Sequence, residues 1–189
     1  MLIHTQRLRL ITCDARHLAA LVQGPGVLGE LLGITVPDGW TAVPAAYAHS
    51  LALLKKQPMR PFSGWWLYLL VNPVSKTLVG CCGFKDVPDP DGIVEIGCEI
   101  APVFRRQGYA TEALKSLVGY AFTRPEVRAV DARSLPAKGA QAAMLQAVGM
   151  KRIGEAEDAE AGTVWHWRIT SAEFVALARA ARRLTSARR

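Results

Sequence analysis

The chain has 189 residues, 50% of them apolar and 21% charged, with a formal net charge of +7. That length carries one domain with a full core, and the composition excludes a disordered or low-complexity chain. No run reaches the roughly 20 apolar residues that span a bilayer, and charges interrupt MLIHTQRLRLITCDARHL too often for a signal peptide, so a cytoplasmic protein with no membrane partner is expected.

Residues 7–13 (RLRLITC) begin by alternating basic and apolar side chains, the period of a half-buried strand. Asp14 then offers an N-cap for a helix through Leu18, Leu21 and Val22, which QGPG stops. A second helical region is expected from about 43 to 56, broken by QPMRPFSG. WWLYLLV (65–71), TLVGCCGFKDV (77–87) and IVEIGCEIA (93–101) read as three antiparallel strands joined by NPVSK and PDPDG. The pattern then changes to helix (109–123), strand (127–134), helix (about 138–147) and strand (150–156). A last strand, TVWHWRI (163–169), precedes a C-terminal helix that starts at Ser171, with Glu173 at a spacing that is not a capping box. Together these predict one α+β domain with a mixed sheet.

Cys13, Cys81, Cys82 and Cys98 show no C-x-x-C spacing and read as reduced core thiols. His4, His17 and His49 are scattered, so no metal site is indicated. Part of the basic excess is local, with five arginines in RAARRLTSARR at the C-terminus. Such an excess suits an anionic partner. The cations are not interleaved with aromatic residues, so a nucleic-acid partner is not expected.

The informative stretch is APVFRRQGYATEAL, 101–114. Helices mostly open on Ser, Thr, Asp or Asn, whose side chain accepts from the free first-turn amides. Here the helix follows two arginines, a glutamine and a glycine. Uncapped amides beside glycine and cations form an anion site suited to phosphate or pyrophosphate. The stretch matches neither G-x-x-x-x-G-K-[ST] nor G-x-G-x-x-G. Taken alone, it also fits a tight strand-to-helix turn capped by Gly108 with solvated arginines.

Arg105, Gly108 and Ala110 form R-x-x-G-x-A, which resembles the acetyl-coenzyme A signature of the GNAT acyltransferases. Other segments resemble that family in the same order. TQRLRL is similar to the opening strand of its ribosomal-protein alanine N-acetyltransferase branch, LVGCCGF to its third strand, and ARSLPAKGAQAAMLQAVGMKRIGE to its fifth strand and fourth helix. The likeness covers roughly residues 5 to 170, with a further helix at about 171–186 in the same single domain. It implies about seven strands, splayed apart between the strands at 93–101 and 127–134, with acetyl-CoA lying in the opening. The pyrophosphate would then accept hydrogen bonds from the amides of Arg106, Gln107, Gly108, Tyr109 and Ala110, with Arg105 and Thr111 close by. The pantetheine arm would pair with Glu99, Ile100 and Ala101, where one amide would polarise the thioester carbonyl.

The implied reaction is direct acetyl transfer to a primary amine of a protein N-terminus or a small molecule, by a monomer or homodimer without a metal. Alternation places Glu95, Gly97 and Glu99 on one face of their strand. Two carboxylates there are costly unless solvated or used. By resemblance Glu95 faces the acceptor and serves as general base, with Glu99 second; pairing with arginines is the alternative. A hydroxyl on the family's fourth helix often stands near the sulfur, but none occurs from Leu135 to Ile153. Gln141 and Lys138 take the family's polar positions there. Solvent would then protonate the thiolate, or the protein would bind coenzyme A with weak or no turnover. Trp65 and Trp66 point to opposite faces, one for the core and one for the acceptor cleft, and His166 reads as an exposed strand residue.

Overall fold

The computed structural model describes residues 2–41, 47–48, 51–52, 64–137, 139–159 and 161–186. Its strands are β1 (Leu2–His4), β2 (Arg9–Thr12), β3 (Leu67–Asn72), β4 (Thr77–Phe84), β5 (Ile93–Ile100), β6 (Ala129–Ser134), β7 (Lys151–Asp158) and β8 (Gly162–Thr170). They form an eight-stranded mixed sheet in the order β1-β2-β3-β4-β5-β6-β8-β7. The expected count of about seven misses β1, which folds back antiparallel onto β2 through a turn closed by Thr5 N–H on the Leu8 carbonyl (2.9 Å).

The central strands LYLLVN and TLVGCCGF are apolar on both faces because helices cover both faces. On one face lie α3 (Tyr109–Ala121), α4 (Ala140–Val148) and α5 (Ser171–Ser186). α3 buries Ala113, Leu114, Leu117, Val118 and Ala121, a stripe at helical spacing, against Tyr68, Leu70, Val94 and Ile96. On the other face, α1 (Ala15–Gln23) and α2 (Pro25–Leu32) bring Leu18 and Leu28 onto Leu69, Val71 and Cys81.

Asp14 caps α1 as expected, accepting from the amides of Arg16 and His17, and the His17 imidazole accepts from the Asp14 amide (3.2 Å). Sequence reading stopped at QGPG and missed α2, although Pro25 at its first turn and a left-handed Gly33 at its end are ordinary helix signals. The cap of α5 is Thr170, not Ser171. Its hydroxyl accepts from the Glu173 amide (3.3 Å), and the Glu173 carboxylate accepts from the Thr170 amide (2.9 Å). T-S-A-E is therefore a capping box, and the helix starts at Ser171 as expected. The helix expected at 43–56 lies mostly outside the described residues, of which Tyr47, Ala48, Leu51 and Ala52 are helical.

β5 and β6 run parallel and pair only from Ile93↔Ala129 to Glu95↔Asp131. Beyond that point β5 stays with β4 as far as Ile100, and β6 stays with β8 as far as Ser134. The sheet thus opens between β5 and β6, as the resemblance implies. No helix among the described residues is long and apolar enough to cross a membrane.

Candidate active site

Between β5 and α3 the chain makes a short 3-10 turn (Pro102–Phe104), and two residues then take left-handed backbone: Arg106 at φ 63° and Gly108 at φ 81°. For arginine that conformation is strained, and such strain collects at ligand sites. No side chain caps α3, whose first helical hydrogen bond runs from Glu112 N–H to the Gly108 carbonyl (3.0 Å). The earlier first-turn amides have no helical partner and can hold an anion. A Cβ built on Gly108 would meet the Arg7 guanidinium at 3.4 Å. Glycine is therefore favoured here by its positive φ.

The opening beside this loop is a cleft of about 640 Å³. Ile100, Arg105, Arg106, Gly108, Tyr109, Ala110 and Thr111, all expected site residues, line it together with Glu99 and the α4 residues Ala140, Gln141, Ala143, Met144 and Ala147. Gln107 instead turns its side chain back onto the Val103 carbonyl (3.2 Å). Arg105 donates its Nε to the Ile100 carbonyl (3.0 Å), so part of its guanidinium ties the loop to β5. Ala101 is fully buried and its amide donates to the Val79 carbonyl (2.9 Å), so that amide cannot also polarise a thioester. Antiparallel alternation turns the backbone of Cys98 and Ile100 away from β4 toward the opening, which leaves the Ile100 amide free of the β4 ladder.

A second cavity, about 390 Å³, lies on the α1–α2 face and is lined by Tyr47, Trp66, Cys81, Lys85 and Gly97 among others. The two cavities share Cys98 and Glu99, where the sheet separates them. Glu99 accepts from Thr41 Oγ1 (2.8 Å) and stands 3.5 Å from the Tyr47 hydroxyl. That hydroxyl also meets Cys81 Sγ at 3.3 Å. Burial beside Cys81 pushes the Tyr47 phenol up, and burial pushes the Cys81 thiol up to about 11, so both stay protonated at neutral pH. Sequence reading missed Thr41 and Tyr47. Trp65 packs in the core on Phe84, and Trp66 takes the cavity side.

Glu95 shares a strand face with Glu99 and has a different environment. Its carboxylate is paired with Lys85 and with Arg133 Nε (3.2 Å), the alternative raised from sequence. His166 is not simply exposed: its Nε2 meets Asp131 Oδ2 at 2.6 Å, while Arg168 grips the same buried carboxylate at 2.6 and 2.8 Å. Burial opposes ionisation of Asp131, but Arg168 and His166 outweigh it and hold the carboxyl below its ordinary range. Lys138 lies outside the described residues. Gln141 Oε1 accepts from the Leu135 amide (3.4 Å), and no hydroxyl stands on α4. Among the described residues no group of three or more His, Cys, Asp or Glu could hold a metal ion.

An opened mixed sheet, an uncapped helix at its mouth and a second cavity behind it define an acyltransferase architecture. The model of the acetyltransferase (GNAT) domain matches residues 7–151, and the chain belongs to that family of enzymes. An uncharacterized N-acetyltransferase of Bacillus subtilis is 31% identical over 139 residues, 70% of this chain and 79% of that protein. The fold is also that of the ribosomal L7/L12 α-N-protein acetyltransferase in complex with coenzyme A, with a TM-score of 0.67 at 16% identity over 90% of this chain and 98% of that one. A mutant form of the spermidine/spermine N-acetyltransferase of Vibrio cholerae gives a TM-score of 0.67 at 13% identity, covering 91% of this chain and 98% of that one.

Proposed function

We propose that the protein transfers the acetyl group of acetyl-CoA directly to a primary amine of a protein N-terminus or a small molecule. The observation that carries this reading is the meeting of two cavities at Cys98 and Glu99. One has the uncapped amides suited to a pyrophosphate, and the other has room for an amine. The Ile100 amide would polarise the thioester carbonyl, and Arg106 and the α3 amides would hold the phosphates. The amine nitrogen attacks the carbonyl carbon, the C–N bond forms as the C–S bond breaks, and the nitrogen gives up its proton. Of the two expected carboxylates, Glu99 suits general base better than Glu95: it borders both cavities and is held by hydroxyls, whereas Glu95 is held by cations. The departing thiolate takes its proton from solvent.

The α4 wall of Ala140, Gln141, Ala143, Met144 and Ala147 has no hydroxyl, and this favours a second reading of coenzyme binding with weak turnover. Calorimetry with coenzyme A, followed by thiol release from acetyl-CoA across a panel of peptides and small amines, tests both. Binding with amine-dependent release supports the transferase. Binding without release from any amine leaves the second reading, and absence of binding removes both.

A further inference from the structure

Resting on the reading of the cleft as the coenzyme site, we propose that the β1–β2 turn belongs to that site. Thr5 and Arg7, acting through Glu112, position the loop that carries the pyrophosphate. Residues far apart in sequence converge here on one carboxylate. Glu112 Oε1 accepts from the Thr5 hydroxyl (2.6 Å) and the Arg7 amide (2.7 Å), and Oε2 accepts from Arg7 Nε (2.7 Å). The same guanidinium donates to the Gln107 carbonyl (3.0 Å) and lies 4.4 Å over the Tyr109 ring.

The consequence follows from peptide geometry. In a planar trans peptide the carbonyl and the next N–H point in opposite directions. Arg7 draws the Gln107 carbonyl outward, so the Gly108 amide is turned the other way, toward the cleft that Gly108 lines. The peptide so fixed joins Gln107 to left-handed Gly108, one residue beyond left-handed Arg106, whose strained backbone needs support from its surroundings. Arg7 is absent from the cleft lining, which makes it a positioning residue rather than a phosphate ligand.

Charge alone makes the opposite prediction. Glu112 is a carboxylate in the first turn of a phosphate-binding helix, and removing it would favour an anion if electrostatics were its only effect. If it anchors the clamp, Glu112→Gln weakens coenzyme binding although it removes a negative charge. Lysine at position 7 keeps the charge but cannot span Glu112 and the Gln107 carbonyl together.

The experiment titrates coenzyme A into wild type, Arg7→Ala, Arg7→Lys and Glu112→Gln. It also measures steady-state kinetics on an amine the wild type accepts and hydrogen exchange of ligand-free 105–112. The proposal expects affinity to fall at least about tenfold in every variant, or about 1.4 kcal/mol. KM for acetyl-CoA should rise in step, kcat at saturation and KM for the amine should hold, and the loop amides should exchange faster in ligand-free Glu112→Gln. A variant too unstable to titrate is replaced by the other two. Unchanged or tighter binding by Glu112→Gln, recovery by Arg7→Lys, or a fall in kcat at constant KM overturns the clamp alone. A wild type that binds no coenzyme overturns the reading of the cleft, and the clamp's role with it.

Discussion

Glu99 and Glu95 stand four residues apart on one strand face, yet their partners separate them chemically. Glu99→Gln keeps the shape and the Thr41 contact but cannot accept a proton, so the rate should fall on the order of 10² to 10⁴ with coenzyme affinity intact. The deficit should shrink at high pH, where the amine is already neutral. Glu95→Gln should lower the melting temperature by loosening Lys85 and Arg133, and keep turnover per folded molecule. A pH–rate profile of both variants decides, and a catalytic collapse in Glu95→Gln alone would reverse the assignment. Between them Gly97 is exposed, and a Cβ there meets nothing within 4 Å. Packing does not require glycine, so Gly97→Val should fold normally, raise KM for the amine several-fold and leave coenzyme binding alone. Equal KM values for wild type and variant would remove Gly97 from the acceptor cavity. The shared face of Glu95, Gly97 and Glu99 was legible from alternation, because strand period is local. Arg7 and Tyr47 were not, since their importance comes from partners distant in sequence, Glu112 and Glu99.

At the scale of elements, the start of α5 and the middle of β6 carry testable energetics. Thr170→Val removes the hydroxyl half of the α5 capping box and should destabilise the protein by about 1 kcal/mol, read by denaturant melts. Hydrogen bonds from Lys151 and from the Thr170 backbone and hydroxyl hold the Glu173 carboxyl at about 2, below its ordinary 4.5. A depressed pKa means that its stabilisation is present above pH 4.5 and is lost as pH falls toward 2. Glu173→Gln should therefore show a shallower loss of stability across that window, and parallel curves would contradict the cap. Asp131→Asn leaves Arg168 without its bidentate partner beside a buried amide and should cost about 3 kcal/mol. Boundaries were the least legible feature of the sequence. The last helix was read to start at Ser171, as it does, but its capping box was missed, because the capping hydroxyl belongs to Thr170 at the end of β8.

Across the whole molecule, the order of strands and helices from β3 onward was readable, since long apolar runs and the glycine and proline breaks between them are local signals. The opening between β5 and β6 was not readable from periodicity. It depends on where parallel pairing stops, at Glu95↔Asp131, and it came only with the family resemblance. The proposed activity turns on what that opening holds. Hydrogen exchange of the wild-type protein, with and without acetyl-CoA, tests it most directly. Protection should centre on the amides of 106–111, with a weaker effect at Cys98 and Ile100 where the β5 backbone faces the cleft. Protection confined to other segments, or none at saturating acetyl-CoA, would contradict it.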